Sequence, residues 1–307
     1  MGRGLVVLLT DAAAFRAAPD PAGTHSAACA SGAFLVAPEG FSLAAQSALD
    51  NRYMASGTVA PERALAQHRG LQRALADEVP TVCFPGDPAT PDAVFPNNVF
   101  ATAPGRVIVG HMRHPVRQRE AERADIRDFF TRVLGRTLID LRTQAGICEL
   151  TGSLVIDRAR GIGYCGLSER CDPVGAAAMH AAFGLGVSFV FALAAGEYHT
   201  NVVMSVLASR ALVICPEGFA DPAAADAIAA RYAPHVITLD RAEQQAFAGN
   251  CIALGPQTVW MSEAAADRLR PSTRWRFEDC GFRIRSVALD EIEKAGGSLR
   301  CCVGEIF

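Results

Sequence analysis

The stretch EYHTNVVMSVLASRALVICPEG, residues 197–218, decides the fold because it reads as two apolar strands joined by a short turn. On a strand, residues two apart point to the same face. His199 and Asn201 would then project side by side from an otherwise apolar element. The stretch therefore predicts a hairpin whose first strand begins with a polar pair.

The same strand–turn–strand pattern recurs along the chain. Further copies are NNVFATAPGRVIVGH at 97–111, TGSLVIDRARGIGYCG at 151–166, GNCIALGPQTVWMSE at 249–263, and a fifth built from LRCCVGEIF at 299–307 with GAFLVAP at 32–38. Aligned on their first strands, the copies place five residues at equivalent positions, at intervals of 54, 49, 49 and 51: Asn98, Gly152, Asn201, Asn250 and Cys301. A fixed period of this size predicts five repeated units.

Ala-rich stretches between the copies carry helix signals. Asp172, Asp221 and Ser262 are candidate N-caps, and the two aspartates precede proline at the first helical position. Further helices are predicted within 61–79 and 117–135. A kelch-like β-propeller also fits the period, but its blades have four strands and little helix. One helix per repeat instead predicts an α/β fold of five ββαβ-like units around a pseudo-fivefold axis, with strands inside and helices outside.

The five units fill residues 33–307, which we expect to form a single catalytic domain. Residues 1–32 contain a run of small residues and proline, and the sequence predicts a loose N-terminal extension there.

The composition excludes several classes of partner. The formal charge of −3 and the scattered basic residues give no electrostatic footprint for nucleic acid or an anionic membrane. The longest apolar stretches, such as VSFVFALAAG, are about half the length of a membrane-spanning helix. Ten cysteines without a CxxC pair indicate reduced thiols and no structural zinc. We therefore expect a cytoplasmic protein that binds a small molecule.

A constellation of polar residues follows from the repeats, because equivalent positions in a ring converge on one end of its axis. Its members are Asn98, Glu149, His199, Asn201, Asn250 and Cys301. A cysteine, a histidine and a carboxylate are what nucleophilic thiol catalysis requires. These residues show no metal-ligand spacing. The alternative is that they satisfy backbone groups at strand ends.

Six ordered motifs carry a resemblance to a known family. They are DAVFPNNVF, MRHPVRQRE, LTGSLVIDRARGIGYCGLSERCD, EYHTNVVMS, AGNCIAL and GGSLRCCVGEIF, within residues 33–307. Together they resemble the pentein or amidinotransferase superfamily, which includes the arginine deiminases, and are most similar to its citrulline hydrolase type. The resemblance implies a pentein fold, with Cys301 as nucleophile, His199 as general acid and base, and Glu149 as its carboxylate partner.

The resemblance also points to a substrate. In arginine deiminases the positions that match Asn98 and Asn201 are typically aspartates that hold a cationic guanidinium. Neutral amides instead offer a donor and an acceptor, which match an uncharged ureido group. The expected reaction is hydrolysis of citrulline to ornithine. In it a Cys301 thiolate, favoured by His199, forms an S-carbamoyl intermediate without metal or cofactor.

Arginines are the expected partners of the substrate carboxylate, since a guanidinium binds it in a bidentate manner. By resemblance the candidates are Arg170 and Arg117, with Arg119 as a substitute for Arg117. Asp172 is expected to be a helix cap and not a ligand.

Three positions depart from the family pattern: Leu150 replaces a usual glycine, Val99 a usual tryptophan and Cys302 a usual methionine.

Two alternative functions stay open, a guanidine-acting deiminase or amidinotransferase and a non-catalytic pentein-type binding protein. Carboxylates at positions 98 and 201 would favour the former. The joint presence of cysteine, histidine and glutamate weighs against the latter. The sequence does not define the oligomeric state.

Overall fold

The computed structural model describes residues 7–23 and 25–307. Within these residues the β-strands are β1 (Val7–Leu9), β2 (Gly32–Val36), β3 (Thr81–Phe84), β4 (Phe100–Ala103), β5 (Arg106–Val109), β6 (Thr137–Asp140), β7 (Leu154–Asp157), β8 (Ile162–Leu167), β9 (Val187–Ala192), β10 (Met204–Leu207), β11 (Ala211–Ile214), β12 (Val236–Thr238), β13 (Thr258–Ser262), β14 (Arg283–Val287) and β15 (Gly304–Ile306).

The α-helices of the same part of the chain are α1 (Ala12–Ala17), α2 (Pro61–Ala76), α3 (Pro115–Gln118), α4 (Ala124–Asp128), α5 (Leu150–Ser153), α6 (Pro173–Phe183), α7 (Thr200–Val203), α8 (Pro222–Ala230), α9 (Arg241–Gln245), α10 (Glu263–Arg268), α11 (Pro271–Asp279), α12 (Asp290–Glu293) and α13 (Leu299–Cys302). Short 3-10 helices span Ser47–Leu49, Pro96–Asn98, Glu120–Glu122, Leu141–Thr143 and Pro216–Gly218, and a π-helical turn spans Phe129–Val133.

The strands form five small sheets, one for each predicted unit. Unit 1 is β4-β5-β6, unit 2 is β7-β8-β9, unit 3 is β10-β11-β12, unit 4 is β13-β14 and unit 5 is β15-β2-β3. In units 1, 2 and 3 an antiparallel hairpin is followed by a parallel strand. Unit 5 has the same pairing, but its antiparallel strands β15 and β2 come from the two ends of the chain. A crossover containing at least one helix precedes each parallel strand, as a parallel connection requires. The predicted ββαβ organisation is therefore confirmed in these units.

Contacts between neighbouring units close the ring. Strand β4 of unit 1 touches α5 of unit 2, and β7 of unit 2 touches β10 of unit 3. Ser205 Oγ of unit 3 donates to Gly249 O of unit 4 at 2.7 Å. Helix α13 of unit 5 contacts β13 of unit 4, while β15 contacts β4 of unit 1. The two ends of the repeat region thus meet in one sheet and complete the ring.

The three N-cap residues predicted from the sequence do cap helices in the structure. The Asp172 side chain accepts from Gly175 N at 2.7 Å, and Asp221 and Ser262 cap α8 and α10 in the same way. The helix predicted within 61–79 is α2. The helix predicted within 117–135 is instead broken at Arg123, whose non-helical backbone separates a 3-10 turn from α4.

Two local predictions are wrong. His199 and Asn201 do not share a strand, because Thr200–Val203 forms the short helix α7 and the strand begins only at Met204. In unit 4, the first predicted strand is reduced to a bridge between Ile252 and Trp260. In both places a polar residue at the start of the repeat bends the chain before the sheet begins.

The expectation of a loose extension over residues 1–32 is also wrong for its described part. Strand β1 adds to unit 2 by parallel pairing with β9. Phe15 of α1 is fully buried and stacks on Phe189, with 4.4 Å between the ring centroids. Burying an aromatic side chain contributes roughly 1.5–3 kcal/mol, which anchors this segment to the second unit.

All ten cysteines are free, and eight of them are buried. No helix in the described part of the chain combines the length and apolarity needed to cross a membrane.

Candidate active site

The equivalent repeat positions lie on short segments that precede the strands. Asn98 ends the 3-10 helix Pro96–Asn98, and Gly152, Asn201 and Cys301 lie on α5, α7 and α13. Asn250 lies in the turn before the Ile252 bridge. The strands thus bring residues more than 200 positions apart in sequence to one end of the ring.

Hydrogen bonds link these segments from unit to unit. Thr151 Oγ1 donates to Asn97 O at 2.9 Å, and Asn201 Nδ2 donates to Thr151 O at 3.1 Å. Asn250 Nδ2 then donates to Asn201 O at 2.9 Å, and the backbone amide of Arg300 to Asn250 O at 3.3 Å. The repeated polar residues therefore do satisfy backbone groups, and they also fix the segments that carry the site.

Gly152 is the one glycine among the five positions, and close packing explains it. A Cβ there would lie 2.6 Å from Asn98 Oδ1 and 2.7 Å from His199 Cε1. Such distances are far inside van der Waals contact. The missing side chain lets Asn98 and His199 approach each other across units 1 to 3.

Cys301 is surrounded by amides. Its Sγ lies 3.3 Å from Asn250 Nδ2 and 3.8 Å from Asn201 Nδ2. The residue is 1% exposed, and burial raises the pKa of its thiol, although the Asn250 hydrogen bond opposes that shift. The sequence-based mechanism starts from a thiolate, whereas the ligand-free site favours the protonated thiol near neutral pH. The neighbouring Cys302 packs in the core with Leu35 and Leu71.

His199 and Glu149 form a buried pair. Their Nε2 and Oε2 atoms are 3.0 Å apart, and both side chains are at most 1% exposed. Burial opposes ionisation of Glu149, but Arg170 and His199 together hold its pKa well below the usual range. Burial lowers the pKa of His199 despite the nearby carboxylate, so the imidazole is neutral near pH 7. Its second nitrogen, Nδ1, has no hydrogen-bond partner among the described residues.

Arg170 connects this pair to the loop that precedes α2. Its Nη1 contacts Glu149 Oε2 at 3.2 Å, its Nε contacts Asp50 Oδ1 at 2.9 Å, and its Nη2 contacts Ser47 O at 3.1 Å. Each nitrogen of the guanidinium thus has a protein partner. In this ligand-free arrangement Arg170 is a link between two carboxylates.

Arg117 is paired differently. It binds Glu120 through Nε and Nη2 at 2.8 and 2.9 Å, and Nη2 also reaches Phe95 O at 3.0 Å. These contacts use two of its three nitrogens and leave Nη1. Arg119, the substitute considered from sequence, is exposed and does not line the cavity described next.

A small cavity lies above Cys301. Its lining residues are Ser47, Asn51, Asp92, Phe95, Asn98, Arg117, Arg170, Tyr198, Ala295, Gly296, Gly297 and Cys301. His199 lies next to this lining beside Tyr198, with 4.5 Å between the two ring centroids. Glu149 and Asn201 lie next to it through Arg170 and Cys301. The structure therefore gathers all seven residues chosen from sequence, namely Cys301, His199, Glu149, Asn98, Asn201, Arg170 and Arg117.

Two oxygens on this cavity wall have no hydrogen-bond partner within the described residues: Asn98 Oδ1 and Asp92 Oδ1. Burial raises the pKa of Asp92, whose other oxygen accepts from Ser47 Oγ at 2.5 Å. Unpaired buried acceptors are expensive unless a ligand supplies donors. These two atoms mark where such donors would bind.

Sequence reasoning did not assign a role to Asp92, Asn250 or Asp50. Asp92 opens the motif DAVFPNNVF, and Asn250 occupies a repeat position, so both carried a signal. Asp50 carried no signal in the sequence, because it lies outside the repeated strand–turn–strand segments and meets Arg170 only in the folded protein.

The three departures from the family pattern lie in the core. Leu150 packs with Leu154 and Cys165, Val99 is fully buried beside Phe100, and Cys302 lies in the unit 5 core. None of the three lines the cavity. No cluster of three or more His, Cys, Asp or Glu side chains arranged to hold a metal ion occurs within residues 7–23 and 25–307.

Five such units around an axis, with a cysteine, a histidine and a glutamate at one end, define the pentein fold of the amidinotransferase superfamily. The family model for N,N dimethylarginine dimethylhydrolase, eukaryotic, matches residues 37–307. The chain belongs to this family and is an amidinotransferase-superfamily hydrolase.

Individual relatives are more distant. The uncharacterized protein YkgA of Bacillus subtilis (strain 168) is 26% identical over 239 residues, which cover 77% of each chain. The N-terminal domain of ArgZ, an arginine dihydrolase from Cyanobacteria, superposes with a TM-score of 0.79 at 19% identity, over 90% of this chain and 97% of that one. The DDAH of Pseudomonas aeruginosa, in a mutant form complexed with citrulline, superposes with a TM-score of 0.68 at 22% identity. The match covers 90% of this chain and 99% of that one.

Proposed function

We propose that the protein hydrolyses the ureido group of a small amino acid, with citrulline as substrate and ornithine as product, through a covalent intermediate on Cys301. The observation that carries this proposal is the neutral amide environment of the thiol. Asn201 and Asn250 contact Sγ, and the unpaired oxygen of Asn98 lines the same cavity.

An amide environment matches a ureido group, which has NH donors and one carbonyl acceptor but no charge. The Asn98 oxygen can accept from a ureido NH, and the Asn201 and Asn250 side chains present NH groups near the sulfur. A guanidinium in this place would instead have a buried charge facing neutral groups, and Glu149 is already engaged by Arg170 and His199.

The other end of the cavity suits the charges of an α-amino acid. Among the described residues Asp92 Oδ1 has no hydrogen-bond partner and can accept from an ammonium group, and the hydrogen bonds of Arg117 use Nε and Nη2, which leaves Nη1 to bind a carboxylate. Arg170 already binds the carboxylate of Asp50, so a substrate carboxylate would replace Asp50 on its guanidinium. Arg117 and Arg170 are therefore proposed to hold the substrate carboxylate, and Asp92 its ammonium.

The chemistry proceeds in two stages. Cys301 loses its proton, with neutral His199 as the base, and Sγ bonds to the ureido carbon. One carbon–nitrogen bond breaks and the first amine leaves with a proton from His199, which leaves an S-carbamoyl group (a thiocarbamate) on Sγ. Water, activated by the same histidine, adds to the carbonyl carbon and cleaves the carbon–sulfur bond, which returns the thiol and releases a carbamic acid. The carbamic acid then loses carbon dioxide and frees the second amine, so the net products are ornithine, ammonia and carbon dioxide. Glu149 orients His199 and stabilises its cationic form at each step.

A guanidino substrate such as arginine is the second candidate. The anionic Glu149 beside His199 favours a cation more than a neutral group. The structural relative ArgZ is called an arginine dihydrolase, while the Pseudomonas aeruginosa DDAH was complexed with citrulline. Both candidates use the same cysteine, so the substrate must be decided by assay.

The test is parallel measurement of ammonia and amine release from citrulline, arginine, agmatine, methylated arginines and N-carbamoyl amino acids. Citrulline should give the highest kcat/KM, by roughly a hundredfold over arginine, because the amides cannot neutralise a guanidinium. The Cys301→Ala variant run on the same panel is the background control. Equal or better turnover of arginine would overturn the ureido assignment. No turnover of any compound would support a binding protein instead.

We further propose a cytoplasmic location, because ten free cysteines suit a reducing compartment.

A further inference from the structure

A second and larger cavity, here called the axial cavity, lies on the other side of the short helices from the cavity above Cys301. Its walls come from units 2, 3, 4 and 5, and it extends from Thr151 on α5 to Ala208 and Ser209 in the turn between β10 and β11. It therefore runs along the ring axis towards the end that carries the hairpin turns.

Three charged residues line the axial cavity within the described part of the chain: Arg158, Arg300 and Glu305. Glu305 lies between the two arginines. Its Oε2 is 2.8 Å from Arg300 Nη2 but 3.8 Å from Arg158 Nη2. The three side chains are only 9–13% exposed. One carboxylate thus serves two guanidinium groups, which leaves the buried cluster with one excess positive charge.

Arg158 is the less satisfied of the two. Its Nη1 donates to Thr102 O at 3.0 Å, and its one charged partner within residues 7–23 and 25–307 is Glu305, at 3.8 Å. The rings of Phe307 and Phe183 flank the guanidinium, with 4.1 and 5.4 Å to their centroids. Burial lowers the pKa of Arg158 to about 10, and Arg300 adds to this shift. A buried guanidinium in such a setting is stabilised by an anion that can use its remaining N–H groups.

A hydroxyl adds to this set of donors. Ser209 Oγ accepts from Ala159 N at 3.1 Å, which leaves its own proton to donate into the cavity. Ser205 and Thr151 also line the wall, but their hydroxyls are used by Gly249 O and Asn97 O. The donors that face the cavity therefore come mainly from one arginine and one serine.

We propose that the axial cavity is a binding site for a small oxyanion, which Arg158 and Ser209 bind directly and which the nearby charge of Arg300 attracts. The shared chemistry is a compact group with two or more negatively charged or strongly accepting oxygens, as in phosphate or a carboxylate. A planar fork of N–H groups suits both. This site is separate from the one that holds Cys301 and does not depend on the reaction assigned there.

Titration calorimetry on the intact protein tests the proposal, with inorganic phosphate and acetate as separate probes and chloride at matched ionic strength as the reference. We expect saturable binding of at least one probe. Arg158→Met should weaken that binding roughly tenfold or more, since it removes a charge-assisted contact. Glu305→Gln should strengthen it several-fold, because it removes the carboxylate that competes for both arginines.

The opposite signs of these two variants keep the test informative if Arg158→Met fails to fold. Arg132→Met is the matched control, because Arg132 is 79% exposed on the surface and should leave binding unchanged. Phosphate stronger than acetate would identify a phosphate-type ligand, and the reverse a carboxylate. Absence of saturable binding by either probe would overturn the proposal. Binding that neither variant changes would overturn it too, since the ion would then sit elsewhere, for example at Arg117.

Discussion

The two sides of the candidate active site satisfy their polar groups in opposite ways. On the charged side, Glu149 is held by His199 at 3.0 Å and by Arg170 at 3.2 Å, and Arg170 in turn by Asp50. On the neutral side, Cys301 faces amides, and Asn98 Oδ1 has no hydrogen-bond partner in the described part of the chain. The charged groups of one side all have protein partners without a ligand, whereas on the other side Asn98 Oδ1 still lacks a hydrogen-bond donor among the described residues.

This difference separates two kinds of role. A buried ion pair that loses one member leaves an uncompensated charge, so changes on the charged side should reduce both stability and turnover. A neutral amide or thiol that awaits a ligand contributes less to the folded state. Changes on the neutral side should therefore alter turnover or selectivity while the protein stays folded. Four variants test this division.

The largest effect is expected for Cys301→Ala. Turnover of citrulline should fall to background, because no other thiol lies at the amide-lined end of the cavity among the described residues. The midpoint of thermal unfolding should shift by only a few degrees, since one small buried group is removed. The measurement is product release beside a thermal melt.

Cys302→Ala is the matched control for that variant. Cys302 is also fully buried and lies on the same helix, but it packs in the hydrophobic core of unit 5. It should keep most of the activity and lose similar or greater stability. Exchanged phenotypes would mean that the repeat alignment, and with it the assigned nucleophile, is off by one residue.

Glu149→Gln tests the charged side. Loss of the carboxylate removes the partner of His199, and acid–base catalysis of this kind contributes about 10²–10⁴ in rate. We expect kcat to fall by about a thousandfold. The free energy of unfolding should also fall by about 3 kcal/mol, because Arg170 stays buried with Asp50 as its remaining carboxylate.

A pH series sharpens the Glu149 result. The pKa of Glu149 is depressed in the folded protein, so its stabilisation is present above the ordinary carboxyl pKa and is lost as the pH falls through and below that value. Thermal melts from about pH 6 to about pH 2 should therefore show a shallower acid loss in Glu149→Gln than in the wild type. Glu122→Gln, which removes a surface partner of Arg142, should leave the slope unchanged. An equal slope in all three proteins would contradict the buried charge network.

The double variant Asn98→Asp with Asn201→Asp tests the neutral side. Two carboxylates would favour a guanidinium and disfavour a ureido group, so the preference for citrulline over arginine should shrink by roughly a hundredfold. Comparison of kcat/KM for the two substrates measures it. Asn51→Asp, on the same cavity but away from the sulfur contacts, is the control. An unchanged ratio would show that the amides do not select the substrate.

The sequence predicted which residues share one end of the ring, but not the local structure of the segments that carry them. The repeat alignment predicted the shared end of Asn98, Asn201 and Cys301, because a fixed period converts sequence spacing into position in space. It missed the short helices before the strands, since a polar residue followed by an apolar run has the same pattern as a strand start. The local pattern placed His199 and Asn201 on β10, which in fact begins at Met204.

Long-range contacts are what the sequence could not predict. The segment around Phe15 is rich in small residues, yet Phe15 stacks on Phe189, which is 174 positions away. Asp50 reaches Arg170 across 120 positions. No repeated pattern in the sequence indicates either contact. The same holds for the Arg158–Glu305–Arg300 cluster, whose members belong to the ends of two units.

The smallest expected effect concerns the protonation of the nucleophile. Burial raises the pKa of the Cys301 thiol above its ordinary value, and the Asn250 amide opposes that shift. In the free enzyme the rate of alkylation of Cys301 by iodoacetamide should therefore rise about tenfold per pH unit from neutrality to beyond pH 9, as the thiolate fraction does.

Asn250→Ala removes the 3.3 Å contact to Sγ and should move the profile to higher pH, which slows alkylation roughly tenfold at any fixed pH below the new pKa. Mass spectrometry of the peptide that contains Cys301 reports this site, and the partly exposed Cys83 serves as an internal reference that the variant should not change. A profile that levels off near pH 7 would mean that the thiolate is already formed in the resting site, and the neutral side would then have to stabilise a charge as the charged side does.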